Sequence, residues 1–353
     1  MSAPVWRHPL LWPLVTLVLL LLLNAGFNPS FLHLEWRDGH LYGSLVDILK
    51  SASPLILVSL GMTLVIATRG IDISVGAVVA IAAATAAWMI GGSLVVHDGV
   101  ATHVSRFPMG VAIVATLLVA GACGAWNGLL VSVVGMQPII ATLILMVAGR
   151  GIAQLITGGQ IITVYYAPYF VIGNGYLLGL PFALFIAAAV FAALLLLTRR
   201  TALGLFIQAV GINPSAAHVA GVPAARITFW VYAFCGVCAG VAGLIVSSNV
   251  KSADGNNAGM LLELDAILAV TLGGTALTGG RYTLAGSVIG ALIIQTLTYA
   301  IYSLGVPPEV NLVVKAVVVF VVMLLQSADF RRSLATLVRR PLPAAAVERG
   351  ASR

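Results

Sequence analysis

Residues 109–134 read Met-Gly-Val-Ala-Ile-Val-Ala-Thr-Leu-Leu-Val-Ala-Gly-Ala-Cys-Gly-Ala-Trp-Asn-Gly-Leu-Leu-Val-Ser-Val-Val, without one charged side chain. As a helix rising 1.5 Å per residue this run is roughly 39 Å long, enough to cross a hydrocarbon core about 30 Å thick. The rest of the chain repeats the pattern. Only 8% of the 353 residues are charged, 60% are hydrophobic and the mean hydropathy is +1.07. Soluble domains carry about 25% charged residues, so two soluble domains of ordinary composition are excluded. The composition predicts an all-α polytopic membrane protein forming one transmembrane domain over 1–353.

Nine further apolar runs flank this one: 10–27, 52–68, 75–91, 139–156, 181–197, 227–247, 264–277, 284–304 and 310–325. The expectation is about ten spans. The first run follows a short basic start (Arg7, His8), and 24–27 lacks a small-x-small cleavage pattern, so it reads as an uncleaved span. Ten spans put both termini on one side. With that side inside, the inner segments hold twelve arginines and the outer ones only Arg37, Lys50, Arg106 and Lys251. Lys and Arg accumulate on the cytoplasmic face, which predicts a cytoplasmic N-terminus (1–9), a cytoplasmic loop at 198–225 and a basic cytoplasmic tail at 327–353. The tail's arginines suit contact with anionic membrane lipid. The net charge of +7 thus reads as topology rather than as nucleic-acid binding.

Several chemistries are missing. Each of the three lysines (Lys50, Lys251, Lys315) follows Leu or Val, so no phosphate-binding loop of the G-x-x-x-x-G-K-[ST] kind exists and the chain is not expected to be an enzyme. The acids Asp72, Glu263 and Asp265 stand near the ends of runs, unlike a proton relay deep in a membrane. Cys235 and Cys238 have redox spacing but read as small core residues, and no metal-ligand cluster is visible. What remains inside the runs is uncharged and hydrogen-bonding: Trp126, Asn127, Gln154, Gln295 and Thr298. Such groups are costly toward lipid and face a bundle interior, where they either line a path for a neutral, hydroxyl-rich solute or tie helices together.

Three segments stand out. Gly70-Ile71-Asp72-Ile73-Ser74-Val75-Gly76 predicts a turn re-entering the membrane from the cytoplasmic face, with Asp72 and Ser74 capping the next helix. In the loop at 198–225, Asn213 reads as a helix cap, Pro214 as the first helical position and Gly221 as the end of a two-turn helix. Its small face of Ala216, Ala217 and Ala220 suits a groove on a cytosolic partner. In 263–281, Glu263 and Asp265 open a glycine-riddled run, and Lys315 enters at similar depth. An unpaired ammonium there is expensive, so Lys315 either pairs with one of the two acids, as part of an outer gate, or snorkels to the interface.

These segments, in this order, resemble the permease subunits of bacterial sugar ABC importers of the ribose type, with residues 141–157 most similar to galactofuranose-importer permeases. The resemblance covers about 47–326, with Arg69 and Ile73 standing where the family pattern has glycine and leucine. It implies a type II importer permease in the bacterial inner membrane, working with cytosolic ATPase subunits that dock on 213–221, a periplasmic sugar-binding protein and a second permease copy or paralogue. ATP and Mg would sit on the ATPase, with no cofactor in this chain. The implied activity is ATP-driven import of a monosaccharide such as galactofuranose or ribose. The alternative from another class is a gradient-driven secondary transporter or facilitator.

Overall fold

The computed structural model describes residues 10–37, 39–97, 100–305 and 307–326. The 1–9 terminus and the 327–353 tail, both expected to be cytoplasmic, lie outside these residues. The described chain is mostly helical. In order come α1 (Leu11–Phe27), β1 (Glu35–Arg37), β2 (His40–Tyr42), α2 (Ser44–Ala67), α3 (Val75–Ile90), β3 (Ser93–His97), β4 (Val100–Val104), α4 (Met109–Ser132) and α5 (Pro138–Thr157). Then follow β5 (Ile162–Thr163), α6 (Ala167–Asn174), β6 (Tyr176–Leu177), β7 (Leu180–Pro181), α7 (Phe182–Arg200), α8 (Leu203–Ile212), α9 (Pro214–Val219) and α10 (Ala224–Val250). The last elements are β8 (Ser252–Ala253), α11 (Leu262–Leu272), α12 (Leu284–Ser303) and α13 (Pro308–Gln326).

Each of the ten apolar runs coincides with a helix, but they are not ten equal spans. Among the described residues six helices are long and apolar enough to cross a membrane: α2, α4, α5, α7, α10 and α12. Shorter apolar helices occur at Leu11–Phe27, Val75–Ile90, Leu203–Ile212 and Leu312–Val321. The run opening at 264 stops at Leu272, where Gly273 and Gly274 follow, so α11 has 11 residues and rises only about 16 Å. One expectation is corrected. The 198–225 segment is not a loop with a single small helix, because its apolar stretch Leu203–Ile212 folds as α8 ahead of α9. Among the described residues the helices are accompanied by four short two-stranded antiparallel ribbons; three are hairpins, and the fourth pairs β5 with β8.

The layering follows composition. In α2, 78% of the most apolar window is buried, against 17% in α7, so α2 belongs to the centre and α7 to the rim. The alanine-rich α3 is buried along nearly its whole length. The long α10 packs against α2, α3 and α4. Its contact with α4 is close because Gly124 and Gly236 face each other, and a Cβ at Gly124 would lie 2.4 Å from the Tyr232 carbonyl oxygen. Small residues are the usual means of close approach where no hydrophobic force drives helices together in lipid. Cys235 and Cys238 are free thiols buried in α10, as core residues should be.

Candidate functional site

Two of the three sequence segments, joined by the glycine end of the third, converge at the end of the bundle where α2 stops and α10 begins. The backbone N–H of Gly280 donates to Ala67 O at 2.8 Å, and the Arg69 guanidinium donates to Ile212 O. Gly211 sits between them. A Cβ there would lie 1.8 Å from Ala67 O and 2.5 Å from Gly280 N, so only glycine lets the three backbones stack. The sequence reading counted Arg69 for orientation and noted it as a departure from the family's glycine, but passed over Gly211. Charge next to a span end is the signal that Arg69 offered; Gly211 offered none, since its partners lie far off in the chain.

Directly after this junction comes α9. The Asn213 Oδ1 accepts from Ala216 N at 3.0 Å, Pro214 occupies the first helical position and Gly221 closes the motif at φ +84°. The helix is therefore formed as expected, but its faces are not. Ala217 is 5% exposed and packs into the core, whereas Val219 is 88% exposed and Ala216, His218 and Ala220 are exposed too. The proposed alanine face is corrected: one of its three members anchors the helix to its own chain.

The 70–76 turn is buried. Asp72 is 1% exposed, and its Oδ1 accepts from Ser74 N at 3.0 Å and from Ser74 Oγ at 2.6 Å. Ser74 precedes α3 without a side-chain cap bond, so the expected double cap is replaced by a side-chain turn on Asp72. Asn127 Nδ2 donates to Ser74 Oγ at 2.8 Å and reaches Asp72 Oδ1 at 3.3 Å. Thr142 of α5 accepts from Ile73 N at 3.3 Å. The turn is thus lashed to α4 and α5, with Asn127 fully buried as the tie.

At the first turn of α3, a Cβ on Gly76 would come 2.0 Å from Glu263 Oε2 and 2.5 Å from Gly259 O. Glu263 is 3% exposed, and its Oε2 lies against that helix start. It is Asp265 that pairs with Lys315, Nζ to Oδ2 at 2.6 Å. The segment between β8 and α11 is pinned to α5: Arg150 donates to Asn256 O and Ala258 O, and Gln154 donates to Asn256 Oδ1. Asn257 and the Asn256 amide hold the Asp254 carboxyl below its ordinary range.

Two adjoining cavities share Met260 and Asp265. One, about 530 Å³, lies between α11, α12 and α13 and takes in Thr298, Tyr302 and Lys315. The other, about 300 Å³, is lined by Lys50, Asn249, Asn257 and Gln295. Gln295, Thr298, Asp265 and Lys315 therefore come together. The others do not. Trp126 is 53% exposed on the outer side of α4, and Gln154 is exposed and spent on the loop. Lys50, counted as an outer-loop charge in the sequence, lies within α2 and bonds to Asn174 Oδ1 at 2.8 Å.

Comparison with known proteins adds the following. The family described as "Branched-chain amino acid transport system / permease component" matches residues 44–323. The chain is 49% identical to the galactofuranose transporter permease protein YtfT of Escherichia coli (strain K12), over 90% of this chain and 91% of that one. It is 38% identical to the fructose import permease protein FruF of Bifidobacterium longum (strain NCC 2705), covering 94% and 91%. Identity to the ribose import permease protein RbsC of Bacillus subtilis (strain 168) is 36%, covering 89% and 92%. No solved structure matches the chain significantly.

Proposed function

The chain belongs to the branched-chain amino acid transport system / permease component family, and from that premise we propose that it is the permease subunit of an ATP-driven importer of a monosaccharide, galactofuranose or a close relative. The observation that carries the sugar is the near end-to-end 49% identity to a galactofuranose permease, with fructose and ribose permeases next. The family's title names amino acids, but these relatives all move sugars.

In this reading the permease catalyses nothing. Cytosolic ATPase subunits bind ATP and Mg and grip α9, a periplasmic binding protein delivers the sugar, and a second permease copy or paralogue completes the membrane unit. Both termini and the 198–225 segment face the cytoplasm, across the inner membrane from the polar cavities. The reading is supported by the way α2 joins the two ends. Its Ala67 accepts from Gly280 beside α9, and its Lys50 lines the smaller cavity. Because helices move as rigid bodies and packed contacts are bistable, a shift of α9 driven by ATP would be passed through Arg69 and Ala67 to the cavity walls, opening them to one side at a time. Asp265, Gln295, Asn249 and Asn257 supply acceptors and donors suited to sugar hydroxyls.

The test is reconstitution of the chain with its ATPase and binding protein in vesicles, measuring uptake of labelled galactofuranose. Uptake that requires ATP and is untouched by excess branched-chain amino acid is expected. Accumulation indifferent to ATP would put a gradient-driven facilitator in its place.

A further inference from the structure

A cavity of about 460 Å³ lies between the end of α7, the helix α8 and the start of α12, lined among others by Leu195, Thr198, Arg199, Leu205, Gln208 and Tyr282. It is well away from the two polar cavities and plays no part in the transport route proposed above. Its volume falls within the roughly 300–1,000 Å³ of small-ligand sites.

Three features describe its occupant. The first is charge. Among the described residues, this end of the bundle carries Arg69, Arg199, Arg200, Arg226 and Arg281, and its one acid, Asp72, is buried. Arg69 is engaged with Ile212 O, whereas Arg199 is exposed and has no acid within ion-pair distance among the described residues. The second is depth. The ten-residue α8 is about 15 Å long, too short to cross a bilayer, and it exposes Leu205 (68%) and Ile212 (60%), seven residues apart and so on one face. An apolar helix of that kind at the end of a membrane bundle lies in the interface, among lipid headgroups. The third is the approach. Leu196 and Leu197 are exposed on α7 just ahead of Thr198 and Arg199, so an apolar surface runs up to the polar cavity.

We propose that this cavity holds the headgroup of an anionic phospholipid, its phosphodiester met by Arg199 and Gln208 and its acyl chains lying along Leu196, Leu197 and Leu205. A guanidinium offers a planar fork of donors that matches phosphate oxygens. A zwitterionic headgroup fits less well, because among the described residues no exposed acid at this end receives its ammonium. The basic interhelical pocket at headgroup depth is the setting in which such lipids are recognised.

The experiment is native mass spectrometry of the full-length chain, purified in detergent and titrated with phosphatidylglycerol, phosphatidylcholine or inorganic phosphate. Wild type is expected to retain phosphatidylglycerol in preference to phosphatidylcholine. One arginine near a membrane surface contributes about a fivefold change in affinity, so Arg199→Gln should weaken retention about that much. Gln208→Leu should weaken it in the same direction, while Arg200→Gln, which changes an arginine outside the cavity, should leave it intact. Equal losses in Arg199→Gln and Arg200→Gln would mean diffuse attraction and overturn the site. Displacement of the lipid by millimolar inorganic phosphate would overturn the lipid in favour of a free anion.

Discussion

Lys315 and Asp265 sit on different helices, α13 and α11, with side chains 14% and 24% exposed. Removing one partner leaves a charge largely stripped of water. For fully buried pairs that costs about 3–5 kcal/mol, and partial exposure here reduces it to about 2 kcal/mol. Lys315→Met should therefore lower the melting temperature in detergent, and adding Asp265→Asn should restore most of the loss. Strictly additive losses would mean that the two groups are not coupled. Gly76→Ala makes a second prediction at this scale. Its methyl meets both a carboxylate and the Gly259 carbonyl, so overpacking should cost about 1–3 kcal/mol and reduce the monodisperse fraction on size exclusion. Glu263→Ala should relieve only part of it, since the Gly259 oxygen remains. Full relief would place the whole strain on the carboxylate. The sequence displayed Asp72, Ser74, Gly76 and Glu263 as a pattern but hid their partners, because Asn127 lies 55 residues from Asp72 and that distance carries no periodic signal.

Among the elements, α9 was the most legible, since Asn213, Pro214 and Gly221 spell a cap, a first turn and a stop in local chemistry alone. Asn213→Ala removes the bond to the Ala216 amide and should cost the helix about 1 kcal/mol. ATP-driven uptake should fall while membrane insertion stays normal; unchanged uptake would mean the cap is dispensable for coupling. Which side of α9 is free was not legible. Ala217 is buried, so Ala217→Trp should impair folding rather than coupling, whereas the exposed Val219→Asp should leave folding intact and separate ATP hydrolysis from uptake. Normal uptake in Val219→Asp would remove that face from the ATPase contact. The neighbouring α8 was missed because its apolar stretch is too short for a span and stands beside charges, a combination that hydropathy reads as loop.

At the level of the whole molecule, the proposed topology puts α9 on the opposite side of the membrane from β1 and β2. In a cysteine-free background, a single cysteine at Ser215 should react with an impermeant maleimide only in inside-out vesicles, and one at Gly39 only in right-side-out vesicles. Labelling of both from one side would reverse or break the ten-span topology. The same arrangement explains why the five uncharged polar residues singled out in the sequence did not form one path. Two reach the cavities, one is buried as a tie, one faces outward and one secures a loop. Hydrogen-bonding capacity marks a residue as unwelcome in lipid, but several different burial sites satisfy it equally.

By itself the sequence determined the membrane class, the place of each of the ten apolar runs, the buried character of the cysteines and the family, because these depend on composition, on runs long enough to cross a bilayer and on short local motifs. Only the tertiary structure decided that α2 and α3 are central, that α11 stops halfway, that Lys315 chose Asp265 over Glu263 and that Ala67, Gly211 and Gly280 stack into one junction. The division has a physical cause. Transfer from water to lipid is a property of each segment alone, whereas helix contacts inside the membrane depend on close fit and paired hydrogen bonds between segments far apart in the chain.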